Sequence, residues 1–467
     1  MVAARGVASP AVSPRRVEVI AVAALALAAV VVWALVRTYP NYDAYYHLVW
    51  GRELLDGHAP TFEAYQAPTE HPLYLALCAV LGLFGEHADR LLVLFTALCH
   101  VAFTWAVYRL GAAIWDRRAG LLAALLAGSS FALLLYAARA YVDEPFLALV
   151  LWAAALEAER RGPGKVYALL VLAGLLRPEA WLLGGAYWLW RSWPARRPLW
   201  RELPLVVLAP ALWCLVDLLV TGDPLFSLHS TSELADELNR TRSLSEVPGD
   251  FVRFLADTAR EPVAAAAVIG IVVAWRRRDG RAVHVPVALF LAGSLTFLAT
   301  SVAGLSVLPR YLTVPAVALC LPAGYLVTRS RWLLALAVAA GLAFVVVRAD
   351  AFDRLATELR FIRTTHDDLA GILHRPEVVA ARRCGPVTFP NYRLVPDARW
   401  ILDASQREVG SRSARQRSHG VAIVYLGEKL LRRYGFAAGA SPLTNVPPPG
   451  FLRGPRVGSF TAYTSCP

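Results

Sequence analysis

The chain has 467 residues, of which 57% are apolar and 18% charged, with 14 Trp and a mean hydropathy of +0.47. Several runs reach the ~20 apolar residues that cross a hydrocarbon core, so the composition excludes a soluble globule and indicates a polytopic membrane protein. The net charge of +12 does not indicate nucleic acid, because most Lys and Arg stand in short clusters between apolar runs, where membrane orientation is set.

Residues 1–16 form a basic tail, expected on the cytoplasmic side. The run 17–36 reads as an anchored first helix; a cleaved signal peptide is the rival, disfavoured by the length of the run and the lack of an obvious processing site. Residues 37–89 form the first external loop. Basic clusters at Arg15/Arg16, Arg117/Arg118, Arg160/Arg161/Lys165, Arg191/Arg196/Arg197/Arg201, Arg276/Arg277/Arg278/Arg281 and Arg329/Arg331 all fall inside if spans lie near 17–36, 90–114, 118–138, 145–159, 203–221, 262–275, 283–304, 311–328 and 332–348, as the positive-inside rule requires. The run from Pro72 to Gly85 is too short to span and reads as a juxtamembrane helix. The run from Val166 to Trp190 is interrupted by Arg177-Pro178-Glu179. With both flanks basic it reads as a hairpin of two short helices whose turn lies near mid-membrane or deeper, one continuous span being the alternative. Broken helices at membrane depth line a protein-walled or water-filled cavity.

The expected fold is therefore an all-α bundle of nine to eleven membrane segments over 17–348. An external loop at 221–261 is expected to carry an amphipathic helix around 232–240. Apolar runs stop at Ala349, and 349–467 reads as a small extracytoplasmic α/β domain, with strands near 387–389, 421–426 and 459–463 and helical patches at 351–362 and 426–434. Cys78, Cys99, Cys214 and Cys320 lie in apolar runs as packing residues, whereas Cys384 and Cys466 lie in the polar tail, where a disulfide or two free thiols are both open.

The external side collects a specific set of groups. Asp43 and His47 stand in the first loop, which closes on Glu70-His71-Pro72-Leu73; Arg139, Asp143 and Glu144 top the third span; Arg177 and Glu179 cap the hairpin; Arg310-Tyr311 opens a later span. Ionisable groups at membrane depth are costly and functional by default. A carboxylate with guanidinium and imidazole groups suits glycosyl transfer from a lipid phosphate: the acid deprotonates an acceptor hydroxyl and the cations hold the leaving phosphate. Asp43 is assigned as base, and Arg139, Arg310 and His71 as phosphate ligands.

At Asp43-Ala44-Tyr45-Tyr46, Glu70-His71-Pro72-Leu73 and Val142-Asp143-Glu144-Pro145 the chain resembles the GT-C superfamily of membrane glycosyltransferases, near its protein O-mannosyltransferase and lipid A aminoarabinose transferase branches (glycosyltransferase family 39-like). The resemblance covers roughly residues 17–220. It implies a polyprenyl-phosphate sugar donor, an acceptor glycan, lipid or protein, an inverting reaction, Asp43 as the catalytic carboxylate and Asp143 as the later acid. His71 stands where the family carries a phosphate-contacting lysine, and Glu144 is inserted before the proline.

Each site has a plainer reading. Asp43 could cap a helix, Asp143-Glu144-Pro145 could start one, Arg177 and Glu179 could pair only with each other, and Arg310 could snorkel. Asp43 and His47 share a helical face, which leaves a divalent metal open beside a packed histidine. A lipid-linked sugar flippase or transporter is the alternative class. The 17 Lys and Arg against 10 Asp and Glu from residue 349 onward would also let the tail dock an anionic polymer in an assembly role.

Overall fold

The computed structural model describes residues 13–196, 198–238, 245–277, 280–347, 349–435 and 442–467. The expected tail at 1–16 therefore lies mostly outside the described residues, as do residues 239–240 of the expected external helix.

The first helix, α1 (Pro14–Leu35), starts on a proline whose missing N–H costs nothing at a helix start and runs 22 residues, about 33 Å at 1.5 Å per residue. Its apolar side chains are largely exposed on the outside of the bundle, as a bilayer-facing helix requires. Next come α2 (Tyr42–Leu55) and α3 (Pro72–Gly82), which pack so closely that a Cβ on Gly51 would lie 2.6 Å from the Ala79 backbone nitrogen. The bundle continues with α4 (Ala88–Ile114), α5 (Arg117–Gly128), α6 (Phe131–Ala138), α7 (Asp143–Ala158), α8 (Pro163–Gly174), α9 (Glu179–Ala195), α10 (Leu203–Thr221) and α11 (Phe226–Glu237). It is completed by α12 (Val247–Ala259), α13 (Glu261–Arg276), α14 (Gly280–Val302), α15 (Thr313–Thr328) and α16 (Arg331–Val347). Helix α15 is the buried axis, lined by small residues where helices cross, as bilayer packing favours. A Cβ on Gly324 would meet the Ala123 backbone at 2.7 Å.

Among the described residues five helices are long and apolar enough to cross a bilayer, and two bent pairs, α5/α6 at 63° and α12/α13 at 95°, raise the count to seven. The expected nine to eleven segments exceed this because they included α7, the two arms α8 and α9, and α16, all shorter than 18 residues. The expected break falls at Arg177-Pro178. There the Leu175 carbonyl, freed by the end of α8, accepts the Leu73 N–H at 3.1 Å, so the turn packs against the start of α3. The amphipathic helix expected around 232–240 is α11.

Beyond the bundle, α17 (Ala349–Leu373), α18 (Pro376–Ala381), β1 (Val387–Phe389), α19 (Val395–Leu402), β2 (Val409–Ser411), β3 (Gly420–Tyr425), β4 (Leu452–Val457) and β5 (Phe460–Ser465) form a small mixed domain. Its sheet has the order β2-β1-β3-β5-β4, with β1 parallel to β2 and β3, and β5 antiparallel to β3 and β4. Three strands match the sequence reading. The other two are the edges: β2 has three residues, and β4 holds Gly454-Pro455, which reads as a turn but is tolerated on an edge strand. Cys384 and Cys466 form a disulfide, which belongs to an oxidising, extracytoplasmic compartment. The domain docks on α2 and the first loop. Arg399, 1% exposed, pairs with Glu53 at 2.5 Å and donates to Thr61 at 3.1 Å, and His366 stacks on Tyr39 with ring centroids 3.5 Å apart.

Candidate active site

Helix α2 is capped by Asn41, whose side-chain oxygen accepts the Ala44 N–H at 3.1 Å. The same amide donates to the carbonyls of Arg139 and Ala140 at 3.0 and 3.3 Å. Ala140 has φ +52°, in the left-handed region, and its carbonyl also accepts the Tyr74 hydroxyl at 2.7 Å. This turn between α6 and α7 is thus clamped to the start of α2, which brings Asp43 and Asp143 to one face. Asn41 takes the capping role, so the Asp43 carboxylate is free of it. Its Oδ2 lies 3.3 Å from Arg310 Nη1, where Arg310 stands in the single 3-10 turn Pro309–Leu312 ahead of α15.

Asp43 and Arg310 line a small cleft walled by His47, His71, Tyr74 and Tyr141. His47 lies within it with both ring nitrogens engaged: Nδ1 is 2.7 Å from the Asp43 carbonyl and Nε2 is 3.0 Å from the His71 amide nitrogen. Burial pushes its pKa down to about 4, against the opposing pull of Asp43. The His71 ring stacks on His47 at 5.2 Å, and its Nδ1 is buried without a hydrogen-bond partner. Burial, then the charges of His47, Arg177 and Arg310, hold His71 well below the usual imidazole range. With both nitrogens used, His47 is not available as a metal ligand, and among the described residues no group of three or more His, Cys, Asp and Glu converges on a point.

A second small cleft also borders Arg310, lined by Phe146, Arg177, Glu179, Leu183, Gly293 and Tyr311 among others. Arg177, 4% exposed, joins Asp143 on α7 to Glu179 on α9. Its guanidinium lies 5.1 Å from the Tyr311 ring, and that of Arg310 5.8 Å from the same ring. Arg177 thus pairs with Glu179, as the plainer reading expected, but also with Asp143, and one oxygen on each acid stays buried and unpartnered. Both acids depend on the one guanidinium, so removing it would leave two buried carboxylates without that partner.

Three other expected residues lie elsewhere. Glu144 points away from both clefts and pairs with His100 at 3.0 Å between α4 and α7. Arg139 donates to the Pro40 carbonyl at 2.8 Å, and its charge acts on His366 and Asp397 of the extracytoplasmic domain. Glu70 turns from the cleft to Ser227, 3.4 Å away; burial and then Asp217 raise its carboxyl well above the ordinary range, while Ser227 lowers it. His100 and Asp217 escaped the sequence reading although each is an ionisable residue inside an apolar run, the signal that could have found them.

The chain superposes on ArnT from Cupriavidus metallidurans bound to undecaprenyl phosphate with a TM-score of 0.59 at 15% identity, covering 95% of this chain and 97% of that one. The apo state of the same protein gives 0.52 at 15% identity, over 97% and 98%. The oligosaccharyltransferase of Archaeoglobus fulgidus, tethered to an acceptor peptide, gives 0.53 at 12% identity, over 97% of this chain and 74% of that one. The chain therefore shares the fold of these three solved structures over nearly its whole length. No family model and no curated protein sequence matches the chain. This structural likeness spans both the bundle and the extracytoplasmic domain, a wider stretch than the 17–220 over which the sequence motifs resemble GT-C.

Proposed function

We propose that this protein is a GT-C-type glycosyltransferase that moves a sugar from a polyprenyl-phosphate carrier to an acceptor hydroxyl on a glycan, lipid or protein at the extracytoplasmic face, with inversion and with Asp43 as general base. In this reading the N-terminus is cytoplasmic. The carrying observation is the Asp43–Arg310 pair, 3.3 Å long, whose arginine lines both clefts. Phe146, Leu183 and Gly293 give the second cleft one apolar side, suited to the first isoprene units. The Arg310 guanidinium above them suits the phosphate, as does His71. The ArnT structure holds undecaprenyl phosphate, which makes that lipid the first carrier to test.

The chemistry follows from the charges. Arriving phosphate competes with Asp43 for Arg310 and so frees the carboxylate as the donor is seated. Asp43 takes the acceptor proton while the acceptor oxygen attacks the anomeric carbon from the face opposite the phosphate. The bond from that carbon to the phosphate oxygen breaks, and its electron pair leaves on the carrier phosphate, held by Arg310 through charge-assisted hydrogen bonds. The proton then passes from Asp43 to water. Asp43→Asn in proteoliposomes given mannosyl, arabinosyl and glucosyl undecaprenyl phosphates is expected to lose transfer by about 10²–10⁴-fold with melting unchanged. Full transfer by the variant would remove Asp43 as base.

A further inference from the structure

We infer that His47 is a positioning residue that sets the His71 imidazole in the cleft shared with Asp43, by accepting the His71 backbone N–H at Nε2. The inference rests on the proposed function only in taking a lipid phosphate as the ligand of that cleft. His47 is fully buried and enclosed by the rings of Trp50, Tyr74 and His71 at 5.0, 5.3 and 5.2 Å. An amide N–H can only donate, so Nε2, 3.0 Å from the His71 nitrogen, is the bare nitrogen. Nδ1 then carries the hydrogen and donates to the Asp43 carbonyl at 2.7 Å. One neutral tautomer thereby links the first turn of α2, which bears Asp43, to the residue ahead of Pro72.

The link matters because His71 stands just before the first turn of α3, where a backbone N–H has no partner inside the helix. Without His47 that donor would be buried and unmet, and His71 could turn its ring away from the cleft. His47 reaches neither cleft chemistry nor a metal with a spare nitrogen, so its effect on a ligand has to pass through His71.

The test uses the full chain in lipid nanodiscs, with undecaprenyl phosphate as probe. Without the probe, residue-resolved hydrogen exchange at the His71 amide is expected to be about tenfold faster in His47→Asn, the worth of one hydrogen bond, and unchanged in His47→Gln, whose side-chain oxygen reaches the Nε2 position. With the probe, His47→Asn is expected to weaken binding about tenfold and His47→Gln to restore it. In a His71→Ala background the Asn substitution should cost nothing further, since coupled residues are non-additive. Equal exchange in wild type and His47→Asn, or an undiminished loss in the His71→Ala background, overturns the inference. His47→Phe keeps the ring and supplies the same comparison if the Asn chain does not fold. A wild-type chain that binds no undecaprenyl phosphate while the exchange difference holds would leave His47 in its role and remove the lipid-phosphate function instead.

Discussion

Asp43 Oδ2 and Arg310 Nη1 face each other at 3.3 Å across 267 residues of chain. The pair is partly open to solvent, so its Coulomb energy is modest and a ligand phosphate can compete for the arginine. Arg310→Ala is expected to lower transfer by about 10²–10³-fold, as loss of one charge-stabilising donor does, with melting little changed. Arg310→Lys should recover part of it, because an ammonium supplies the charge without the planar fork. Steady-state transfer beside a melting curve checks both.

Arg177 differs in kind, because it is buried between two acids. Arg177→Met is expected to destabilise the bundle by about 3–5 kcal/mol, the cost of leaving a buried charge unpaired, whereas Arg177→Met with Asp143→Asn and Glu179→Gln should regain most of that. Thermal unfolding in one detergent, compared across the set, reads the difference.

Glu70 sets a pH dependence. Its carboxyl is raised by burial and then by Asp217, so the folded chain holds a proton that the unfolded chain releases near the ordinary carboxylate pKa. That stability is complete below the unfolded value and is lost as pH rises through the folded one. Glu70→Gln, which mimics the protonated acid, should flatten the decline in melting temperature as pH rises above the ordinary carboxylate range. A variant with the same slope as wild type would show that Glu70 is not its source.

The Cys384–Cys466 bridge joins residues 82 apart. Replacing both by Ser is expected to cost the extracytoplasmic domain about 2–5 kcal/mol, and reductant should lower the melting temperature of wild type but not of the double variant.

Local chemistry alone determined much of this protein. Long apolar runs with basic flanks establish a membrane bundle, Arg177-Pro178-Glu179 marks the helix break because proline cannot continue the ladder, and three buried strands are legible from their β-branched and aromatic residues. The loop from Asp43 to His71 announces itself by crowding titratable groups at the end of a span. What lies around that loop was decided only in three dimensions. Asp143 and Glu144 are neighbours in sequence, yet successive helical residues are turned by about 100°, so one meets Arg177 and the other His100. From sequence His47 leaves a metal ligand and a packed histidine both open, and only the fold brings the His71 amide onto its ring nitrogen. Arg310 becomes the partner of Asp43 only when α15 is packed into the bundle, because pairing across hundreds of residues leaves no periodic trace in the sequence.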